Sequence, residues 1–384
     1  MITGPREGGG GGGEQQSVAA GPKETSPTPA ISPAPPDELA REYGINTEVP
    51  EPTDFPDLHD GDDDDGGIES DGDSVFDENS INSETTSLNS SVIKYREEIG
   101  RRYHAYGTME HWGPNDEHAQ EQQDLSHHLW TLVLNGNLYL APIRDPKSVL
   151  DLGTGTGIWA IDMADAHPQA VVKGIDLSPI QPSWIPPNLK FEIDDYNLEW
   201  LDKGKYDLIH GRELLGTVPN WVEFYRQVLS GLKPGGWFEQ VDPTIFLVSN
   251  YGTLPPGHVF HQWSELMDEG GRKAGLDFNT AHHIKRWLEE VGFVNVTEVK
   301  MPIPVGSWPK DPRQREIGAF NQLRIEQGVL DFCGRRFTNN LGWSRVQLEV
   351  FCAAMRDAVR DSKLLAHHYA YFVYGQKPGN LGNE

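Results

Sequence analysis

The residues with the clearest chemical meaning form a glycine-rich turn behind a short apolar segment. Val149–Leu152 reads Val-Leu-Asp-Leu, and glycines then occupy alternate positions at Gly153, Gly155 and Gly157. Glycine lets the backbone turn sharply and approach a ligand closely. A helix that begins after such a turn presents unpaired N–H groups in its first turn. The pattern therefore predicts a binding site for a small molecule at the end of a strand.

The spacing of these glycines separates two classes of cofactor. A nicotinamide-binding turn has the pattern GxGxxG, whereas here Gly157 follows Gly155 after a single intervening residue. Asp151 lies just before the turn, and its carboxylate would repel a pyrophosphate there. S-adenosylmethionine has no phosphate and carries an ammonium and a sulfonium, which a carboxylate favours. The turn therefore indicates S-adenosylmethionine as the cofactor and disfavours a nicotinamide dehydrogenase.

Further acidic residues follow the next two predicted strands. Asp176, followed by Leu177, ends the second strand, where a carboxylate can accept both ribose hydroxyls. Asp194, Asp195 and Tyr196 end the third strand, where a carboxylate can accept the adenine amino group. Three acidic strand ends in this order indicate an adenosine-containing ligand. Ordinary polar strand ends of another α/β protein are the alternative interpretation.

Methyl transfer from a sulfonium is an in-line displacement, so the protein must align donor and acceptor and exclude water. A general base helps only when the acceptor must lose a proton. The catalytic candidates are His210, Glu239 and Tyr103, and a purely structural histidine or a core-packing aromatic residue is the alternative for two of them. Further candidates near the same strand ends or on the N-terminal segment are Arg212, Glu213, Asp242 and His104.

The segments that must position these residues alternate between strand and helix. Such alternation predicts a parallel sheet covered by helices on both faces, which is the doubly wound, Rossmann-like α/β class. The core of this domain is predicted at residues 147–243. Its strands are predicted at 148–151, 171–177, 189–193, 206–210 and 237–241, with helices that end near Ala166 and span 221–232.

Helices are predicted on both sides of this core. Residues 91–140 should form two lid helices, at 92–106 and 117–134. The region 258–365 is mainly helical in pattern, and its segment 306–363 separates the last two strands as a cap or substrate wall. Several apolar side chains of this insert suggest an acceptor pocket, with an ordinary core as an equal alternative: Phe332, Phe337, Trp343, Phe351 and Met355.

A proline-rich loop, residues 178–188, replaces the helix expected between the second and third strands. Proline fixes φ and removes an N–H donor, so this loop should be rigid at the adenosine edge of the site. Its Trp184 either stacks on the adenine or packs the loop onto the sheet.

Charge is distributed unevenly along the 384 residues. The first 90 contain 21 acidic and only 3 basic side chains, together with a glycine run and many prolines. Such a segment cannot bury enough apolar surface to offset its ordering entropy. Residues 1–90 are therefore predicted to be disordered, as a spacer or as a docking segment for a basic partner. The remaining chain is mildly acidic, so no direct binding of nucleic acid is expected.

The cysteines and histidines indicate neither a disulfide framework nor a metal site. Cys333 and Cys352 have no CxxC partner, which favours a reducing compartment. The pairs His127-His128 and His282-His283 lack carboxylates at metal-ligand spacing. The chain also has no apolar leader and no apolar run long enough to span a membrane. We therefore expect a soluble intracellular protein, cytoplasmic and/or nuclear.

These residues resemble a known family. Val149–Pro243 resembles the core of class I S-adenosylmethionine-dependent methyltransferases. Over residues 91–378 the chain is more specifically similar to the fungal LaeA-like (TAM-domain) methyltransferases. The runs that carry this similarity are GTGTGIWAID at 153–162, DLSPIQP at 176–182, WIPPN at 184–188, RYHAY at 102–106 and PNDE at 114–117.

The resemblance implies a fold and a set of cofactor-binding residues. The fold would be a seven-stranded sheet of order 3-2-1-4-5-7-6 whose last-entered strand is antiparallel. Asp176 and Leu177 would lie at the ribose, and Asp195, after Asp194, would lie at the adenine with the Tyr196 backbone. His210 would lie beside the methionine moiety. The cofactor loop would consist of Asp151, Gly153, Thr154, Gly155 and Gly157.

The resemblance also implies two alternative functions. The first is an S-adenosylmethionine-dependent methyltransferase that acts on a small molecule in fungal secondary metabolism, and the aromatic insert favours it. The second is a LaeA-like regulator of secondary metabolism that acts through protein partners such as velvet proteins, and the acidic N-terminal segment favours it. Thr154 stands where the regulators more often have cysteine, which slightly favours the first alternative.

Overall fold

The computed structural model describes residues 36–53, 95–107 and 111–379. The predicted disorder of residues 1–35 and 54–90 lies outside these ranges and stays a prediction. None of the helices in the described ranges combines the length and the apolar composition that a membrane span needs.

Residues 36–53, called the strap below, pack on the domain, so the prediction of disorder is wrong for this segment. Helix α1 spans Pro36–Tyr43, and the following Ile45 is buried in a core that includes residues of the sheet. Near the end of the strap, the Tyr251 hydroxyl donates a hydrogen bond to the carbonyl of Pro50 at 2.7 Å. These tertiary contacts order the strap, although its surroundings in the sequence are acidic and rich in glycine and proline.

A β-hairpin occupies the position of the first predicted lid helix. Strands β1, Arg96–Glu98, and β2, Arg101–Tyr103, pair in antiparallel fashion. The two residues between them, Ile99 and Gly100, have φ values of 52° and 77°. A two-residue hairpin turn of this kind needs positive φ at both positions, which glycine adopts without strain. The prediction of a helix here is wrong because Ile99 and Gly100 take positive φ, which an α-helix of L-residues excludes.

The second lid helix is confirmed as α2, Glu117–Val133. Asp116 caps its first turn by accepting a hydrogen bond from the Ala119 N–H at 3.1 Å. The later helices are α3 (Ile158–Ala166), α4 (Trp221–Gly231), α5 (Val259–Lys273), α6 (Ile284–Val291), α7 (Pro312–Arg335) and α8 (Arg345–Arg360).

Seven further strands form one sheet. They are β3 (Ser148–Leu152), β4 (Val171–Asp176), β5 (Leu189–Ile193), β6 (Tyr206–Arg212), β7 (Leu232–Pro243), β8 (Val294–Pro304) and β9 (His367–Gln376).

The sheet is parallel from β5 to β7 and antiparallel at its other edge. Its spatial order is β5-β4-β3-β6-β7-β9-β8, which is 3-2-1-4-5-7-6 when these seven strands are numbered along the chain. Strand β9 runs antiparallel to both of its neighbours, β7 and β8. In register, Asp151 of β3 lies opposite Gly174 of β4 and His210 of β6. The carboxyl ends of these three strands therefore meet at one edge, where α/β sheets bind ligands.

Helices cover both faces of the sheet, which confirms the doubly wound α/β class. One face packs against α2, α3 and α7, and the other packs against α4 and α6. A third apolar core joins α5, α7 and α8 beside the sheet. Because α7 and α8 lie between β8 and β9 in the chain, the helical insert between the last two strands is confirmed.

Candidate active site

A cleft opens at the carboxyl ends of β3, β4 and β6. Its roof is the segment 111–115 together with His104, and its side wall is the first half of α2. Several residues that the sequence assigns to the cofactor line this cleft: Asp151, Gly153, Thr154, Gly155, Asp176, Leu177, Tyr196 and His210.

The glycine turn lies directly against α2. Gly155 has a φ of 59°, and a side chain at this position would collide with the carboxamide oxygen of Gln123. The same Gln123 oxygen accepts a hydrogen bond from the Thr156 N–H at 3.0 Å. The close approach of α2 thus requires glycine here, and Gln123 is a site residue that sequence reasoning missed. The last glycine, Gly157, begins α3 with a φ of 85° and packs on Phe191 below the cleft surface.

The Asp151 carboxylate is held by two neighbouring side chains. The Thr154 hydroxyl donates to its Oδ2 at 2.7 Å, and His210 Nδ1 lies 2.8 Å from its Oδ1. Burial lowers the pKa of His210, although Asp151 opposes this shift. The neutral imidazole therefore donates from Nδ1 to Asp151, which leaves Nε2 as an acceptor. The Trp159 ring stacks on His210 at 3.8 Å and fixes its plane.

Asp176 has the geometry that a ribose diol needs. Its Oδ2 accepts the Gly155 N–H and its Oδ1 accepts the Ser178 N–H, both at 2.8 Å. Each oxygen keeps a second lone pair for a ligand hydroxyl. Burial, opposed by these hydrogen bonds and reinforced by Asp151, raises the pKa of Asp176 to about 6.

Of the three residues predicted to bind the cofactor after β5, only Tyr196 lines the cleft. The Tyr196 side chain lines the cleft, and its hydroxyl donates to Thr217 Oγ1 at 2.7 Å. Asp195 is buried beside the cleft and accepts the Asn197 N–H at 2.9 Å. Asp194 is exposed and accepts the Asp195 N–H, so the structure does not bring its carboxylate to the adenosine region. Adjacent side chains in extended backbone point to opposite sides, which accounts for this difference.

The roof of the cleft is fixed by buried polar contacts. His104 Nε2 accepts the His111 N–H at 3.2 Å, so its Nδ1 donates to the Tyr106 carbonyl at 2.7 Å. Burial lowers the pKa of His104, and it lowers that of His111 to about 3, so both rings are neutral. The Asn115 side chain donates to Ser178 Oγ at 3.1 Å and joins the roof to the loop after β4.

Two of the catalytic candidates lie outside the cleft. Tyr103 is buried under the Arg335 guanidinium, whose carbon is 4.7 Å from the ring centre, and burial raises its pKa to about 12. Glu239 is fully buried, and its Oε2 accepts the N–H groups of Leu140 and Ala141 at 2.8 and 2.6 Å. Both side chains are therefore occupied by structural contacts, and His210 is the one selected candidate that faces the cofactor cleft.

The structure contradicts both interpretations of Trp184 in the proline-rich loop. Its side chain is 95% exposed, so it neither stacks in the cleft nor packs the loop onto the sheet. The contact between this loop and the glycine turn comes from Gln181, whose side-chain amide donates to the Gly155 carbonyl at 2.7 Å.

The last residue of β6 and the residue after it, Arg212 and Glu213, bring two charged side chains to the cleft wall. Arg212 donates to His127 Nδ1 at 3.2 Å, and His127 Nε2 in turn lies 2.9 Å from Asp162 Oδ2. Glu213 has a φ of 57°, and its Oε1 accepts hydrogen bonds from Ser126, Trp130 and Arg324.

A second, mainly apolar cavity adjoins the cofactor cleft. Trp112 and Glu213 line both spaces, so they form the shared wall. Of the five insert residues proposed for an acceptor pocket, Phe332 lines this cavity, whereas Phe337 and the other three pack in the core of α5, α7 and α8. Residues of distant segments supply most of the remaining surface: Leu215, Ile245, Leu247, Trp263, Met267, Phe278 and Ile325.

Metal ligands are not assembled in this region. Within the described ranges, no group of three or more His, Cys, Asp or Glu side chains is arranged to hold a metal ion.

Comparison with known proteins identifies the family. The sequence model of a methyltransferase domain family matches residues 125–298. "Methyltransferase pytC" of Aspergillus terreus is 40% identical over 299 residues, which cover 77% of this chain and 92% of that protein. "Secondary metabolism regulator LAE1" of Cochliobolus heterostrophus is 35% identical over 289 residues, which cover 73% of this chain and 94% of that protein. "Protein-methionine methyltransferase laeA" of Emericella nidulans is 27% identical over 296 residues, which cover 76% and 79%.

These similarities extend over nearly the whole length of the first two relatives and over about three quarters of this chain. They agree with the resemblance that the glycine turn and the neighbouring motifs carry. The chain therefore belongs to the fungal LaeA-like family of S-adenosylmethionine-dependent methyltransferases.

Proposed function

We propose that this protein transfers the methyl group of S-adenosylmethionine to a small molecule of fungal secondary metabolism. The observation that carries this proposal is the apolar cavity that shares Trp112 and Glu213 with the cofactor cleft. An apolar space of this kind, with a few polar groups at one end, is typical of a small-molecule site. Its position would place an acceptor next to the cofactor.

The residues of the cleft fit the parts of S-adenosylmethionine. Asp176 offers two carboxylate oxygens to the ribose hydroxyls, and Leu177 and Tyr196 provide surface for the adenine. Arg212 brings a positive charge to the end of the cleft where a methionine carboxylate would lie. The cofactor supplies a methyl group that its sulfonium activates for displacement. The protein contributes alignment of the two reactants and exclusion of water by the roof.

The names of the relatives support methyl transfer but differ about the acceptor. One is called a methyltransferase, one a secondary metabolism regulator and one a protein-methionine methyltransferase. We assign a small-molecule acceptor to this chain because its second cavity is lined mainly by buried aromatic and aliphatic side chains.

Radiolabelled cofactor tests this assignment. The protein is incubated with S-adenosyl-[methyl-³H]methionine and either a small-molecule extract of a fungal culture or a fungal protein extract from which small molecules are removed. Label should appear in the organic-soluble fraction of the first reaction. Label confined to protein would exclude a small-molecule acceptor, and failure to bind the cofactor in calorimetry would exclude the methyltransferase function.

A second candidate function is regulation through protein partners, such as velvet proteins. The relatives named as regulators favour it, and so do Val346 and Val350, which are exposed one turn apart on α8. Replacement of both valines by lysine should abolish co-elution with a velvet protein in size-exclusion chromatography if this surface binds such a partner. Co-elution that is equal for the wild type and the double variant would exclude the surface.

A further inference from the structure

Glu213 lies where the two cavities meet, and its two carboxylate oxygens differ. Oε1 accepts hydrogen bonds from Ser126 Oγ at 3.0 Å, from Trp130 Nε1 at 3.2 Å and from the Arg324 guanidinium. Oε2 has no hydrogen-bond partner among the described residues, and the Glu213 side chain is 23% exposed to solvent. One oxygen is thus anchored, and the other is available to a ligand.

The backbone at Glu213 is held in an unfavourable conformation. A φ of 57° is in the left-handed region, which costs a non-glycine residue energy and persists only where neighbouring contacts enforce it. Those contacts are present, because the Glu213 N–H donates to the Val241 carbonyl at 2.8 Å and the Leu214 N–H donates to Asp242 at 2.9 Å. Strained residues of this kind concentrate at active sites.

Arg324 neutralises Glu213 and is itself fixed. Its Nε donates to Ser126 Oγ at 2.9 Å, and its guanidinium carbon lies 5.2 Å from the centre of the Phe332 ring. The other titratable group that lines the second cavity, His368, is neutral because burial lowers its pKa to about 3. The cavity therefore carries no net charge, which favours an uncharged acceptor.

Aromatic rings shape the apolar part of the cavity. Trp112 makes an edge contact with Phe278 at 6.5 Å between ring centres, and it lies 5.9 Å from Phe332. Met267 and Ile245 add flexible and branched aliphatic groups to the lining. Such a surface fits a flat apolar ring system better than a polar chain.

We propose that the acceptor is an uncharged, flat hydroxylated molecule, such as a phenol or an enol, and that Glu213 Oε2 receives its proton. In this step the acceptor O–H bond breaks and an O–C bond forms to the transferred methyl group. The methyl–sulfur bond breaks, its electron pair stays on sulfur, and the proton passes to Oε2. This inference rests on the proposed function and adds the acceptor class and the base.

The test uses 2-naphthol as the acceptor and measures cofactor affinity separately by calorimetry. The wild type should convert 2-naphthol to 2-methoxynaphthalene. Glu213→Gln keeps an oxygen for Arg324 and Ser126 but removes the base, so kcat at pH 7 should fall at least about 100-fold while the Kd for S-adenosylmethionine stays within about threefold. The exposed Glu199→Gln is the matched control and should keep the wild-type rate.

The pH profile separates a base from a merely structural residue. The residual rate of Glu213→Gln should rise with pH, because a growing fraction of 2-naphthol is then ionised and no longer needs a base. A cavity-filling variant, Met267→Trp, should lose binding of 2-naphthol and keep binding of the cofactor. If Glu213→Gln does not fold, Glu213→Asp replaces it. The shorter side chain withdraws the carboxylate from the acceptor, so kcat should fall at least about tenfold while the KM for 2-naphthol and the Kd for S-adenosylmethionine stay within about threefold. A merely structural change would weaken binding as well.

Three results would overturn the inference. A wild-type rate in Glu213→Gln would exclude the base, and an unchanged pH profile with a lower rate would reduce Glu213 to a structural role. Cofactor binding without any binding of 2-naphthol would exclude this acceptor class while leaving the proposed function intact. Absence of cofactor binding in the wild type would instead contradict the proposed function itself.

Discussion

At Asp176 a single carboxylate holds the glycine turn and faces the cleft. Its hydrogen bonds to the N–H groups of Gly155 and Ser178 mean that removal of the side chain would leave two donors without their partner. The sequence predicts the ligand-binding role from the position of Asp176 after a strand. The structural role depends on a contact 21 residues away in the chain, which spacing alone does not reveal.

Asp176→Asn should weaken binding of S-adenosylmethionine about tenfold to several hundredfold in calorimetry. It keeps an acceptor for one N–H group and removes the charge, and each charge-assisted hydrogen bond contributes roughly 1.5–3 kcal/mol, where about 1.4 kcal/mol corresponds to a factor of ten. Asp145→Ala is the control, because this side chain is exposed on the loop before β3. Equal affinities of Asp176→Asn and the wild type would place the ribose elsewhere.

The pH dependence of cofactor binding provides a second measurement at the same residue. Ribose hydroxyls donate to the ionised carboxylate, and the pKa of Asp176 is raised to about 6. Affinity should therefore be constant above this pH and fall as the pH decreases through it, approaching tenfold per pH unit. Asp176→Asn should lack this dependence. A wild-type affinity that is constant from pH 7 to pH 5 would contradict the assignment.

Glu239 should affect stability rather than catalysis. Burial raises its pKa to about 7, so the folded state binds this proton more tightly than the unfolded state does. The carboxyl group therefore lowers the free energy of unfolding as the pH rises from the ordinary glutamate pKa through about 7. Glu239→Gln keeps an acceptor for Leu140 and Ala141 without this cost.

Urea unfolding at pH 5 and pH 8 measures this difference. The free energy of unfolding of Glu239→Gln relative to the wild type should increase between the two pH values, by up to about 3 kcal/mol at 1.36 kcal/mol per pKa unit. Other groups that titrate in this range are common to both proteins and cancel. A relative stability that does not change with pH would show that Glu239 is not protonated near neutrality.

At the scale of elements, the segment that follows β2 contacts residues of the cofactor site through Gly107. Gly107 has a φ of 91°, and a side chain there would lie 3.2 Å from Leu177 and 3.3 Å from the Asp195 carboxylate. Gly136, after α2, has a similar φ of 82° but has no other atom within 4 Å of such a side chain. A comparison of alanine substitutions at these two positions therefore separates the effect of backbone strain from the effect of contact with the cofactor site.

Gly107→Ala and Gly136→Ala should destabilise the protein similarly, by roughly 1–2 kcal/mol, because both place an L-residue at positive φ. Only Gly107→Ala should weaken cofactor binding, by severalfold, since its methyl group pushes the segment after β2 away from Leu177 and Asp195. Thermal unfolding and calorimetry measure the two effects. Cofactor affinities that are equal in the two variants would show that the contact at Gly107 does not limit binding.

Local sequence predicts elements well where the local signal and the tertiary contacts agree. Strand β3 is a short, mainly apolar segment before the glycine turn, and β5 alternates apolar and charged residues. The structure has both within one residue of the predicted bounds. The hairpin β1–β2 was not predicted, because the helical spacing of the apolar residues in 92–106 was a stronger signal than the single Gly100. The apolar cavity was hard to predict because residues such as Trp112, Leu215 and Trp263 come from separate elements and meet only through the fold.

At the scale of the molecule, the strap joins parts of the domain that are distant in sequence. The Asn135 side chain donates to the Tyr43 carbonyl at 3.2 Å, and the Thr53 N–H donates to the Trp308 carbonyl at 3.0 Å. Arg313 links the strap to the end of α2, because its guanidinium donates to the carbonyls of both Gly44 and Leu132 at 2.7 Å. The strap therefore stabilises the helix whose other end holds the glycine turn.

Deletion of residues 1–53 should lower the thermal midpoint by several degrees relative to deletion of residues 1–35. The longer deletion exposes the site of Ile45, whose burial contributes about 1.5–3 kcal/mol, and removes the hydrogen bonds of the strap. The entropy recovered by freeing the strap offsets part of this loss, which limits the expected shift.

Cofactor affinity should change less than threefold, because the strap contacts α2 at the end remote from Gln123. Differential scanning calorimetry measures the midpoint. Equal midpoints for the two deletions would show that the strap contributes no net stability.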